Sequence, residues 1–178
     1  ILLDLGLSSF QLEDNKRGFS HKYQSSLDMR FDKDSTDNTA EKIVHQNDLK
    51  ELTKIFKDYG EERHAYKIAK RIKEFNGKVD VLAITSIVDQ VTPFKYRLKT
   101  YSRIFQALRI ATNNELNHLK FFLDNFLDLL SPRGRIVVIS YHSIEDRIVK
   151  HKLKDLKHKK KINLIYKKPL IPSKGEVS

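Results

Sequence analysis

The order of apolar and polar positions divides the chain into strands at its two ends and helices between them. Ile1-Leu2-Leu3 runs into Asp4, and Leu5-Gly6-Leu7-Ser8-Ser9 follows. An apolar run that closes on a polar turn predicts a buried parallel strand. Arg135-Ile136-Val137-Val138-Ile139-Ser140 predicts a second buried strand, and Ile162–Tyr166 a third. Residues 12–40 are polar with few periodic apolar positions; they predict a loop that closes over a site, against the simpler reading of a mobile surface loop. Asp48 with Glu51 has the spacing of a capping box, and Leu49, Leu52, Ile55, Phe56 and Tyr59 share one helical face, so 48–59 is a helix that Gly60 ends. Residues 61–75 form a second helix, with Ala65, Ile68, Ala69, Ile72 and Phe75 inward and Arg63, Lys67, Lys70, Arg71 and Lys73 outward. A short helix is expected over 86–91. Residues 102–130 are strongly helical, with a break near Thr112-Asn113-Asn114 and a turn at Ser131-Pro132-Arg133-Gly134. Ser143 with Asp146 fits a second capping box, opening a helix with Ile148, Val149, Leu153 and Leu156 on one side.

Strand, helical insertion, long helix, strand, helix, strand is an α/β order. A sheet of so few strands is too small to be whole, and a strand opens the chain without a Met. Both predict an internal fragment whose front half is missing. The expected parts are 1–40 and 101–178, belonging to one core, and 41–100, a helical insertion.

Composition narrows the functional classes. At 178 residues, 39% hydrophobic and 32% charged, the chain is globular. No apolar run approaches the roughly 20 residues of a membrane span, and no signal-peptide pattern is present. There is no Cys, and none of the seven His forms an HxH or HxxxH pair, so no metal site is expected. Richness in Lys, Ile and Asn fits a bacterial-type, AT-rich genome and a cytoplasmic protein, or an organelle copy. The net charge is +11, and residues 147–178 carry eleven Lys or Arg against Asp155 and Glu176. That bias favours a polyanion such as nucleic acid, against the plainer reading of a solvated basic tail.

Two strand ends carry polar groups at corresponding places: Asp4 with Ser8 and Ser9, and Ser140-Tyr141-His142-Ser143. In open α/β sheets, ligands bind beyond the carboxyl ends of strands. Asp4 is either a ligand-holding carboxylate or a strand cap. His142 is a proton acceptor, a base contact or the cap of the following helix. No GxGxxG occurs.

These residues resemble the RsmH (MraW) family of S-adenosylmethionine-dependent methyltransferases, which methylate the N4 amine of a cytosine in small-subunit (16S) ribosomal RNA. The matching blocks are Leu2–Ser9 with Gln11-Leu12; Arg17-Gly18-Phe19-Ser20 with Leu27-Asp28-Met29-Arg30; Tyr59-Gly60-Glu61-Glu62-Arg63; Arg103 with Phe105–Ala111 and Asn114-Glu115-Leu116; and Ser140–Lys150. Lys167-Lys168-Pro169 and Pro172-Ser173 add another. They stand in the family's order over nearly all of the chain.

The resemblance implies part of a Rossmann-like class I methyltransferase core interrupted by an all-helical domain. It places Asp4 and Gln11 at S-adenosylmethionine. The family's glycine-rich first loop is not in this sequence, and Phe10 and Ile104 stand where the family usually has Pro and Thr. Without the family's first strand, residues 1–5 would keep an unpaired hydrophobic edge, so the fragment alone should bind cofactor poorly. The implied substrate is the ribosomal RNA or the 30S particle, with no membrane and no metal involved. Ser8, Asp28 and His142 are candidate catalytic contacts to the cytosine amine. Arg17, Phe19 and Arg30 suit backbone and stacking contacts to an unstacked RNA strand. The alternative is a catalytically inactive RNA-binding or ribosome-assembly remnant of the same fold.

Overall fold

A computed structural model describes residues 1–35, 38–172 and 175. Ser173, in the proline-serine block, falls outside them. The chain forms two compact units, Gly6–Leu119 and Ile1–Leu5 with Lys120–Ser178.

The first unit is helical. It holds α1 (Ser9–Glu13), α2 (Ala40–Gln46), α3 (Leu49–Gly60), α4 (Ala65–Glu74), α5 (Val81–Val91) and α6 (Arg97–Asn113). Helix α3 is centred, packing on α4 and α6, while α2 and α5 also lean on α6. Its inward stripe places Leu52 and Phe56 against Ile68 and Ile72 of α4 and Ile104, Phe105 and Leu108 of α6 in one core. The expected cap is present: the Asp48 carboxylate accepts the Glu51 N–H at 2.7 Å, and Glu51 reaches back to the Asp48 N–H at 3.0 Å.

Gly60 does not end α3 as a helix breaker. It is the last helical residue, and Glu61 takes the left-handed position (φ 49°). Glycine is needed at 60 because α6 crosses there: a Cβ would stand 2.6 Å from the Arg103 carbonyl oxygen. Gly60→Ala is therefore expected to lower stability by about 1–3 kcal/mol, the usual cost of overpacking, read as a lower denaturation midpoint.

Five helices depart from expectation: α1 was not foreseen, α4 begins at Ala65 rather than 61, and α2, α5 and α6 also differ. Helix α2, capped by Thr39, was not foreseen. Helix α5 begins at Val81 rather than 86, because the Asp80 carboxylate accepts the Ala83 N–H at 2.9 Å. Helix α6 begins at Arg97. The break near 112–114 is real: Asn114 takes φ 50°, and α7 (Glu115–Asn125) starts afresh.

The second unit carries β1 (Leu2–Asp4), β2 (Val137–Ile139) and α8 (Ser143–His158). The strands are parallel, in register Leu2↔Val137, Leu3↔Val138 and Asp4↔Ile139. Buried strands were expected. Instead Leu2 is 69% and Val137 56% exposed, because a two-stranded sheet pairs each strand on one edge and leaves much of its apolar surface open. Among the described residues β1 pairs with β2 alone, which leaves its other edge open. The third strand, Ile162–Tyr166, does not form: the segment is irregular and pairs with neither strand. A strand exists by pairing, and its apolar composition alone cannot supply a partner.

Candidate active site

In the strand unit, polar side chains gather where β1 and β2 end. Parallel register sets Asp4 opposite Ile139, so the residues after Ile139 meet the Asp4 side chain. The Tyr141 hydroxyl donates to Asp4 Oδ1 at 3.0 Å. This bond, strengthened by the carboxylate's charge, raises the Tyr141 pKa above its ordinary value. The Tyr141 N–H in turn donates to Glu145 Oε2 at 3.1 Å. Glu145 is 3% exposed, so a buried carboxylate fixes the turn that presents Tyr141.

His142 occupies the N-cap of α8, and its Nδ1 accepts the Glu145 N–H at 3.4 Å. The cap is thus His142 with Glu145, rather than Ser143 with Asp146. Asp146 pairs instead with Lys150 at 2.5 Å. The buried His142 Nε2 lies 3.2 Å from Glu145 Oε1, without the alignment of a hydrogen bond. Of the three readings open for His142, the structure realises the helix cap. Both ring nitrogens face Glu145, so the imidazole is not presented as a free proton acceptor.

In the helical unit, Ser8 caps α1. Its Oγ accepts the Gln11 N–H at 3.2 Å, while Gln11 Oε1 accepts the Ser8 N–H at 3.1 Å. This reciprocal box holds Gln11 in place although Phe10, and not a rigid proline, precedes it.

Residues 14–35, which follow α1, are irregular yet anchored to the helical core. Leu27 and Met29 are fully buried in the helical core, and Phe19 is 6% exposed. At Gly18 (φ 75°) a Cβ would stand 2.3 Å from the Ser26 carbonyl oxygen, so only glycine lets the two limbs meet. Arg17 lies over the Phe19 ring at 5.0 Å and donates to the carbonyls of Arg30 and Phe31. Asp28 takes Arg30 as a fork, from Nε at 2.7 Å and Nη2 at 2.9 Å. Asn113 of α6 ties the loop down, donating to the Met29 carbonyl at 2.8 Å and accepting the Phe31 N–H at 2.7 Å.

The residues expected at RNA are therefore occupied with one another. Phe19 is too buried to stack on a base. Arg17 and Arg30 stay half-exposed but spend their donors on the loop. The physical reason is burial: an irregular segment that puts Phe19, Leu27 and Met29 into a core must satisfy its own carbonyls, and the two arginines do so. Asp28, expected as a catalytic contact, is an ion-pair partner.

The hydrogen bonds from Arg30 hold the Asp28 carboxyl below the ordinary aspartate value of 3.8. A pKa lowered by folding means stability present above the unfolded value and lost as pH falls through the folded one. Acid denaturation below pH 3.8 should therefore soften in Asp28→Asn, whose side chain does not titrate. An unchanged acid limb would show the pair to be inert.

Two site features were missed from the sequence: the Tyr141 hydroxyl on Asp4 and the buried Glu145. The second left a trace, since a cap residue followed three positions later by Glu is the box pattern read one residue too far along. Among the described residues, no group of three or more His, Asp and Glu could hold a metal ion.

A sequence profile described as the MraW methylase family matches residues 1–178. The ribosomal RNA small subunit methyltransferase H of Halothermothrix orenii is 42% identical over 198 residues, covering 99% of this chain and 63% of that protein. The proteins of the same name from Synechococcus elongatus and Dictyoglomus turgidum are 42% and 44% identical, each covering 99% of this chain and 60% of the relative. The chain thus spans 60–63% of the length of these relatives.

Proposed function

The chain belongs to the MraW methylase family, and from that premise we propose that it is part of an enzyme that methylates the N4 amine of a cytosine in small-subunit ribosomal RNA, using S-adenosylmethionine. In this reading β1, β2 and α8 belong to a Rossmann-like class I core, and the helical unit is an insertion into it. The observation that carries the reading is the placement of Asp4. It ends a parallel strand, beside Tyr141 at the end of its neighbour, where open α/β sheets bind ligands.

The residues present fit the cofactor. Asp4 Oδ1 is held by Tyr141, and Oδ2 has no partner among the described residues, so one carboxylate oxygen remains for a hydroxyl or ammonium donor. Gln11, fixed by the Ser8 box, is the second proposed contact. S-adenosylmethionine supplies an electrophilic methyl group when bound.

The chain's own task is positioning. The cytosine amine is a weak nucleophile because its lone pair is delocalised into the ring. Acceptors that hold its N–H groups orient that lone pair and stabilise the charge that develops. Ser8 Oγ is the proposed acceptor on α1. Asp28 and His142, both committed to neighbours, act as positioning groups for the loop and for the α8 turn. The target base must leave its stack to be reached. Arg17 and Arg30, whose donors are spent on the loop, hold that segment in shape.

The full-length protein should transfer labelled methyl from S-adenosylmethionine to small subunits lacking the modification. Nuclease digestion and mass spectrometry should return N4-methylcytidine. A different methylated nucleoside would overturn the substrate; RNA binding without any transfer would establish the non-catalytic reading. Residues 1–178 alone, with β1 open along one edge, should bind S-adenosylmethionine more weakly than the micromolar range in calorimetry.

A further inference from the structure

Helix α8 turns Ile144, Val149 and Leu156 inward. On its other side stand Lys150, Lys154 and Lys157, spaced three or four residues apart so that they share one face, flanked by His151 and His158. Acids near the helix are already matched: Asp146 to Lys150 at 2.5 Å, Asp124 to Lys152 at 2.5 Å and Asp155 to Lys159 at 2.8 Å. Lys154, Lys157, Lys160 and Lys161 are exposed and have no acidic partner among the described residues.

The end of the helix extends this face instead of fraying. The Lys161 N–H donates to the Leu156 carbonyl and the Lys160 N–H to the Lys157 carbonyl, both at 2.9 Å. These are the two bonds of a Schellman turn. Lys160 takes its left-handed position at φ 56°, a place that usually falls to glycine. Lys161 is thereby held in a defined, exposed turn just beyond Lys154 and Lys157. From Lys154 to the end of the helix and its turn the charged row runs about 10 Å, at about 1.5 Å per helical residue.

We infer that the Lys154–Lys157–Lys161 face of α8 is a docking surface for the phosphate backbone of the RNA substrate. The inference rests on the proposed function and deepens it. Lysines present compact charges without planar recognition, and the exposed face of α8 carries no Phe or Tyr beside them. Such a row fixes the position of a strand and reads no sequence. Tyr141 and His142 open the same helix. An RNA held along α8 would thus be registered on the element that carries the Tyr141–Asp4 contact.

The test is the salt dependence of binding between the full-length protein and a small-subunit ribosomal RNA fragment. Each neutralised phosphate contributes about 0.7–0.9 to the slope of log K against log salt. The triple variant Lys154→Gln, Lys157→Gln, Lys161→Gln should lower that slope by about two and weaken binding to unrelated RNA sequences equally. These positions are exposed, so its melting temperature should match the parent. A Lys67→Gln, Lys70→Gln, Arg71→Gln variant on the basic face of α4 is the comparison. An unchanged slope in the α8 variant, or a loss confined to the α4 variant, overturns the inference. So does a loss of binding to anionic vesicles with RNA binding intact, which would assign the face to a membrane. If the parent methylates cytosine while the α8 variant keeps its slope, the docking inference fails alone. If the slope falls but the parent transfers no methyl, the enzymatic reading fails and the docking surface stands.

Discussion

Asp4→Ala in the full-length protein should weaken S-adenosylmethionine binding by about 10- to 150-fold. That range corresponds to about 1.5–3 kcal/mol for a hydrogen bond to a charged group. The loss should appear in the calorimetric Kd and in kcat/KM together. Tyr141→Phe separates the carboxylate from its orientation. It keeps Asp4 and removes only the hydroxyl that holds Oδ1 at 3.0 Å, so a smaller loss, about 2- to 12-fold, is expected, because water can replace this exposed donor. Equal losses in the two variants would make Tyr141 a direct contact. An unchanged Kd in Asp4→Ala would remove the strand end from the cofactor site.

Arg103→Ala should strongly destabilise the helical unit. Glu62 is 4% exposed. One oxygen accepts the His64 N–H at 2.8 Å, and the other lies 3.5 Å from Arg103 Nη1. That second contact is close enough for charge attraction but not aligned as a hydrogen bond. Removing Arg103 leaves a carboxylate in the core with no cation, which costs about 3–5 kcal/mol for a buried pair. Arg103 is itself partly exposed, so the lower end applies, a fall in Tm of about 6–12 °C at this chain length. Adding Glu62→Gln to Arg103→Ala should restore part of the loss, because a neutral amide tolerates burial without a cation. If the double variant is no more stable than the single one, lost packing of the arginine stem is the cause.

The helices were legible where local chemistry decides them. Asp48 and Glu51 announced α3 because a capping box is complete within four residues, and Asn114 announced the break because Asn tolerates the left-handed conformation. Helix α2 was missed because it is short and its cap, Thr39, sits at the end of a polar stretch. Asp80 was overlooked as a cap, which cost α5 its first turn. The loop after α1 read as open because its three core residues, Phe19, Leu27 and Met29, are irregularly spaced and no periodicity marks them. Their burial depends on Asn113, far along the chain. The end of β2 shows the same limit at closer range. A capping pattern was visible there, but whether His142 or Ser143 occupies the cap depends on where the strand lets go. Strand Ile162–Tyr166 failed for the opposite reason: its composition is local, while its existence would depend on a neighbour.

The pairing of β1 with β2 also sets an order of events during synthesis. Ile1 and Arg135 are 134 positions apart, whereas Asn113 and Met29 in the helical unit are 84 apart. At about 5–20 residues per second, β1 would wait on the order of ten seconds in the nascent chain before β2 emerged. Throughout that wait, the edge of β1 that takes β2 would stay open. The parallel pair is thus a late closure with a long entropic loop. Substitutions that slow α-helical assembly should trap less material than those that weaken the β1–β2 register, because the unpaired strand, and not the bundle, is what can seek another chain.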